Sequence, residues 1–321
     1  ASVEEAKKWT DIAAEYIMVK VAATEEGYRI IEEVTAAGRN VNATLIFTDE
    51  QYRKVAQAYI RGLKRAHQAG YDLSKIYSVA SFFISRWDTK LVNEIPQEYQ
   101  GMFANSIAIN AYNQIFTALF KSEEFKVLKE HGANIQDFLL ASTGSKATSM
   151  PEQFKAQYPE DVYVTAVQGP SIVNTLPDKT IKYLLTLKIK PQATIIENYP
   201  LAQEILQVMQ ELLTDLDKVG EELFIAGMES FVNDFNAIQE TIKKIVTETT
   251  VFYHGTITAI VEKALRLDGI IFAGGIDLTT DKVFAQMHAQ GIIHQYTEEG
   301  SSGKERKEIA QFLSPNNLGE G

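Results

Sequence analysis

Ile17-Met18-Val19-Lys20-Val21-Ala22-Ala23-Thr24-Glu25-Glu26-Gly27 is the stretch that decides how this chain folds. Ile17 to Val21 is a short β-type apolar run. The apolar residues after it, Tyr28, Ile31, Val34 and Thr35, recur at helical spacing and stop at Gly38. A strand followed at once by a helix is expected. The pattern returns at Val41-Asn42-Ala43-Thr44-Leu45-Ile46-Phe47, after which Thr48-Asp49-Glu50-Gln51 fits a capping box ahead of Tyr52, Val55, Tyr59, Ile60 and Leu63.

Further along, a third strand is expected at Tyr77 to Phe83, before a long helical region from 99 to 130. A fourth, Asp137 to Ala141, precedes a helix near 151 to 158. A fifth falls within 162 to 174, where Val162-Tyr163-Val164 and Ser171-Ile172-Val173 both qualify. Strands alternating with helices at such intervals imply parallel pairing through crossovers, hence an α/β sheet or barrel, and disfavour sandwiches and helical bundles. Residues 199 to 248 read as nearly continuous helix broken near Gly220. The last 75 residues change character: Val251-Phe252-Tyr253, Ile270-Ile271-Phe272 and Ile292-Ile293-His294 read as short strands, and Gly300 to Gly303 and Asn316 to Gly321 as loop. Upstream, residues 1 to 16 form an amphipathic pattern with Val3, Ala6, Trp9, Ile12 and Ala13 on one face, and a chain opening inside a helix is expected to have lost what preceded it.

Composition narrows the function classes. The 321 residues are 45% hydrophobic, enough for a substantial core. Against 42 acidic residues stand 31 basic ones, a formal charge of -11 with no basic cluster, which opposes nucleic-acid phosphates and anionic membranes. The absence of cysteine removes disulfides, thiolate nucleophiles and cysteine metal sites. No segment reaches the roughly 18 uninterrupted apolar residues of a membrane span, and Ala1 to Glu5 is too acidic to start a signal peptide, so a cytoplasmic location is expected.

The chemistry-bearing residues sit on the strands. A lysine inside an apolar strand either snorkels outward, as most do, or holds its amine in a polar pocket, because burying an unpaired ammonium is costly. Val19 and Val21 take the face opposite Lys20, and in a closed barrel the face of Met18, Lys20 and Ala22 would point inward. An inward, desolvated lysine has a lowered pKa and suits Schiff-base chemistry on a ketone. On the second strand Asn42 and Thr44 share one face, either as part of a site or as polar groups satisfied locally; Asn42-Ala43-Thr44 also matches a glycosylation sequon, discounted because nothing indicates secretion. On the third, Ser81 and Phe83 share a face. Arg86 follows just past the carboxyl end, where barrel enzymes place substrate contacts, although an isolated arginine more often forms a surface ion pair.

Five segments together resemble consecutive strand motifs of transaldolases, in the right order. They are Ile17 to Gly27, Asn40 to Phe47, Ser78-Val79-Ala80-Ser81-Phe82-Phe83-Ile84-Ser85-Arg86, Leu140-Ala141-Ser142-Thr143-Gly144-Ser145-Lys146, and Gly169-Pro170-Ser171-Ile172-Val173-Asn174-Thr175-Leu176-Pro177. The similarity is to the longer bacterial and plastid-type branch and runs from near residue 5 to about 245. The resemblance implies a (β/α)8 barrel of TIM type in which these are strands four to eight, with residues 1–245 as the barrel segment and 246–321 as a C-terminal extension. By the same resemblance Lys20 would form the imine with a ketose phosphate and Thr44 would help hold the proton-relaying water. Asn42 and Ser81 would bind hydroxyls of the dihydroxyacetone unit, Phe83 would line the pocket, and Arg86 with Ser142 would bind the phosphate. Lys146 stands near a position where other branches carry a second phosphate-binding arginine. The reaction would be a pentose phosphate pathway transfer of a three-carbon unit between sugar phosphates, in cytoplasm or plastid, with no metal or organic cofactor needed.

The resemblance also shows what this chain lacks. Transaldolases supply an aspartate, an asparagine from a Thr-Ser-Asn-Pro motif and a glutamate from three strands preceding the lysine strand, and the 16 residues before Ile17 cannot hold them. Three explanations are open: a second chain supplies the missing strands, the tail supplies substitutes, or the chain is a catalytically inactive descendant kept for structure or interaction. Besides a sugar-phosphate substrate, the expected partner is therefore such a second chain, or another copy of this one. Weak signals elsewhere have plainer readings: Gly269 to Gly275 and Gly300 to Lys304 as ordinary turns, the pair Asp277 and Asp281 as a solvated loop or helix start, and the histidines His67, His131, His254, His288 and His294, which make no metal-ligand spacing, as surface or core residues.

Overall fold

Side-chain caps start the strand-helix units. Thr24 Oγ1 accepts from Gly27 N at 2.8 Å, opening helix α1 (Glu25–Ala36) behind strand β1 (Val19–Ala22). Behind strand β2 (Val41–Ile46) the expected capping box forms: Thr48 Oγ1 accepts from Gln51 N, and Gln51 Oε1 accepts from Thr48 N and from Phe47 N, opening α2 (Asp49–Gln68). This computed structural model describes residues 3–4, 6–8, 17–187, 192–212 and 215–250, with side chains through residue 244. The three strand-like runs and the glycine-rich stretches expected in the tail lie outside those residues, as does most of the N-terminal amphipathic pattern, including Trp9, Ile12 and Ala13.

Strand β3 (Ser78–Phe83) leads into α3 (Arg86–Leu91), and then α4 (Phe103–Ala111) continues through a π-helical turn at Tyr112–Phe116 into Thr117–Phe120. The helical region expected over 99 to 130 is thus divided. Ser122 accepts from Phe125 N and begins a new helix, α5 (Glu123–Glu130). Strand β4 (Asp137–Ala141) is followed by short 3-10 turns, including Glu152–Gln157 where a helix is expected. Strand β5 is Ile172–Asn174; Val162-Tyr163-Val164, the competing candidate, is a buried turn. Helices α6 (Asp178–Leu187), α7 (Tyr199–Leu212) and α8 (Leu216–Thr250) follow. Gly220 does not break the last of these. It lies inside α8, where any Cβ would come within 2.3 Å of Thr48 Cγ2, so the glycine serves close approach rather than termination.

The sheet order is β1-β2-β3-β4-β5, every pair parallel, so the order in space repeats the order in sequence. The register puts Lys20 beside Asn42, Asn42 beside Val79, and Val79 beside Asp137. One sheet face is sealed by helices. Val41, Ala43, Ala80, Phe82, Phe138 and Leu140 are fully buried there, with Phe138 meeting the ring edges of Tyr52 from α2 and Tyr112 at centroid distances of 5.0 and 5.9 Å. The other face carries Lys20, Asn42, Thr44, Ser81 and Phe83. The alternation breaks once in β2: the pairing shifts between Ala43 and Ile46, and Leu45 takes φ +58° as the extra residue of a bulge. Ile46, not Leu45, therefore resumes the helix-covered face opposite Phe82.

The chain divides into two units, Ala1–Glu229 and Ser230–Gly321, and the first contains the whole sheet. Among the described residues of the second, Ser230 to Thr250 are helical. No described helix is long and apolar enough to cross a membrane.

Candidate active site

The register of β1 and β2 sets Lys20 next to Asn42 on the uncovered face, and β3 adds Ser81, whose Oγ donates to Asn42 Oδ1 at 2.7 Å. Lysine, amide and hydroxyl thus form a row across three strands. Lys20 itself is the exposed residue of edge strand β1, whereas its expected place is an enclosed interior; the atoms crowding its stem and amine still desolvate the ammonium and lower its pKa from 10.5. Exposure and a lowered pKa pull in opposite directions here. The direction of the shift stands because burial of any part of the amine's surroundings disfavours its charged form.

Thr44 lies one pleat further along β2, paired with Ala22 and 3% exposed. Its Oγ1 is buried with no hydrogen-bond partner among the described residues. A hydroxyl so placed costs about 1–3 kcal/mol unless something bonds it, which fits a group that holds a water or a substrate oxygen.

The carboxyl ends of β3 and β4 are tied together. Ile84 N donates to Ala141 O at 3.0 Å, Ser85 N to Ser142 O at 3.3 Å, and the hydroxyls of Ser85 and Ser142 meet at 2.8 Å. Ser142 adopts φ +58°, an uncommon conformation for a residue with a side chain, and such strain persists where surrounding bonds over-determine it. Ser85 is the residue that the sequence reading passes over; its position between the strand end and Arg86 was the available signal. Half-buried Arg86 opens α3 with its guanidinium 5.4 Å from the centre of the Phe83 ring. Gly227 of α8 comes close by, since a Cβ there would lie 3.2 Å from Arg86 Nη1 and 3.0 Å from Leu45 Cδ2. Arg86, Ser85 and Ser142 therefore share one corner. Lys146 precedes the turn Ala147–Ser149, and its amine makes no hydrogen bond or ion pair with any described residue.

The described strands bring no carboxylate next to Lys20 on this face. Asp137 is the one acid among the described strand residues of this face, level with Lys20 but three strand spacings of about 4.8 Å away, beyond direct proton transfer. No group of histidine and acidic residues that could hold a metal occurs among the described residues. Of the histidines, His67 and His131 lie against each other with ring centres 4.2 Å apart, away from the row.

Sequential parallel β/α units, with the chemistry on the face the helices leave uncovered and at the strands' carboxyl ends, define a (β/α)-barrel class of fold, here as five consecutive strands. The chain belongs to the transaldolase/fructose-6-phosphate aldolase family, whose model matches residues 1–242. It is 34% identical to a transaldolase of Mycolicibacterium paratuberculosis over 246 residues, covering 74% of this chain and 63% of that one. A Renibacterium salmoninarum transaldolase is 34% identical over 250 residues (75% and 64%), and one from Mycobacterium ulcerans 35% identical over 233 (70% and 60%). The chain thus spans somewhat under two thirds of the length of these relatives.

Proposed function

We propose that this chain carries the imine-forming and phosphate-binding part of a transaldolase, a transferase that moves a dihydroxyacetone unit between sugar phosphates. The observation that carries the reading is the row Lys20, Asn42 and Ser81, with the unpartnered Thr44 hydroxyl beyond it. Lys20 Nζ adds to the C2 carbonyl of a ketose phosphate, and loss of water leaves the imine. Removal of the C4 hydroxyl proton breaks the C3–C4 bond, releases the aldose phosphate and leaves the electron pair as an enamine on Lys20. The enamine carbon then attacks an acceptor aldehyde, and water frees the ketose product. Asn42 and Ser81 hold hydroxyls of the three-carbon unit, Phe83 lines the pocket, Thr44 holds the water, and Arg86 with Ser142 and Lys146 receives the phosphate.

Each step moves a proton, and a positioned acid or base contributes about 10²- to 10⁴-fold. With Asp137 too distant, the acid-base groups come from strands outside the described residues that pair along the outer edge of β1. A second reading, an inactive structural or interaction subunit, is favoured by the distance of Asp137, the one acid on the described strands of this face. Borohydride trapping with fructose 6-phosphate separates the two. The expected result is a reduced adduct on Lys20 in folded protein, increasing with pH as the amine loses its proton below 10.5. Absence of added mass on Lys20 at every pH would leave only the structural reading.

A further inference from the structure

Gly220 and Gly227 stand seven residues apart in α8, so they fall on one face of the helix, together with the buried Leu223. Glycine weakens a helix interior, and two of them on a contact face point to what that face must admit. Gly220 admits Thr48 and Trp87, and Gly227 admits Leu45, Phe47 and Arg86. Lys90 of α3, the helix that Arg86 opens, pairs with Glu222 of α8 at 2.8 Å. The start of α8 is thereby fixed over the carboxyl ends of β2 and β3, all within the first unit.

A Cβ on Gly227 would stand 3.0 Å from Leu45 Cδ2, 3.2 Å from Arg86 Nη1 and 3.5 Å from Phe47 Cε2. The first two distances are tighter than ordinary contact, so a neighbour would have to give by a few tenths of an ångström. Leu45 is fully buried at the positive-φ bulge, and Phe47 is fully buried with its ring centre 5.4 Å from that of Phe83. A packed interior yields little. The guanidinium, at the far end of a long and half-buried side chain, is the group with room to move.

We propose that Gly227 is a positioning residue for Arg86: its bare Cα leaves the space beside Nη1, so that α8 backs the guanidinium and sets the direction in which its fork meets a substrate phosphate. This rests on the reading of Arg86 as a phosphate ligand. A planar fork grips phosphate through paired N–H bonds of fixed geometry, so a small displacement loses one of them, whereas a point charge would tolerate it. A glycine serving packing alone would change stability and leave the preference for a phosphorylated ligand where it was.

The test compares the full chain with its Gly227→Ala variant in two measurements, calorimetric titration with fructose 6-phosphate and borohydride trapping of phosphate-free dihydroxyacetone on Lys20. Gly227→Ala should weaken fructose 6-phosphate binding about tenfold, roughly the loss of one charge-assisted hydrogen bond, and change dihydroxyacetone trapping by less than about twofold. If the variant fails to fold, hydrogen exchange in the parent decides: fructose 6-phosphate should slow the amides of residues 223–229 by about threefold or more, and dihydroxyacetone should not. Unchanged fructose 6-phosphate binding in folded Gly227→Ala, equal losses for the two ligands, no fructose 6-phosphate binding by the parent, or, where the variant does not fold, exchange indifferent to fructose 6-phosphate overturns the proposal. Absence of any Lys20 adduct in the parent defeats the imine reading instead, and the fructose 6-phosphate titration still decides this one.

Discussion

The two faces of the sheet are built from the same strands and behave as opposites. On the helix-covered face the middle strands are apolar and sealed at Val41, Ala43, Ala80, Phe82, Phe138 and Leu140, and Phe138 is held edge-on by two tyrosines. The other face leaves Lys20 and Val173 exposed at the sheet's two edges and an unsatisfied threonine hydroxyl between them. The packed apolar layer of the first offers no group that can exchange a proton, whereas the second carries the lysine, amide and hydroxyls to which the proposed chemistry is assigned.

The comparison is broken most severely by exchanging the two kinds of loss. Phe138→Ala should cost about 3–5 kcal/mol of unfolding free energy, measured by urea denaturation, while any protein that remains folded still traps substrate at Lys20. Lys20→Met should do the reverse: trapping falls below detection and stability moves by less than about 0.5 kcal/mol. If Lys20→Met unfolded the chain, the division of labour would be wrong.

A smaller effect sharpens the picture at Asp49. Burial lifts its folded pKa to about 6, against the Asn110 hydrogen bond, from the ordinary 3.8, so between those values the folded state holds the proton that the unfolded state has lost. Stability therefore falls as pH rises from about 4 through about 6, and the cost is fully present above that. The helix N-terminus at Asp49 offsets part of it. Asp49→Asn keeps an acceptor for Asn110 and should be about 1–2 kcal/mol more stable than the parent at pH 7.5, with no gain at pH 3.5, read from paired denaturation curves. A comparably small stability change is expected at Thr44. Thr44→Val removes the unpartnered hydroxyl and should leave stability within about 1 kcal/mol, on the gaining side, while hydrolysis of the unreduced imine slows at least tenfold. Slower hydrolysis without that neutrality would mean that Thr44 acts through packing.

Much of the strand order was readable because each unit advertises itself locally. The Thr48-Asp49-Glu50-Gln51 box and the alternation in Ser78–Phe83 need no tertiary context. What escaped notice depends on partners distant in sequence. Leu45 adopts positive φ without a glycine to mark it. Ser85 matters because of Ser142, 57 residues on. Gly220 reads as a helix break because its actual constraint, Thr48, lies 172 residues earlier in the sequence.

Because every ladder joins neighbours in the sequence, severing the backbone between two consecutive units would interrupt one set of inter-strand bonds and no others. The sheet is thus modular strand by strand, whereas α8 is not, because Gly220 and Gly227 bring it back against Thr48, Leu45 and Arg86, so a divided chain would have to rejoin at that contact as well as at the strand seam.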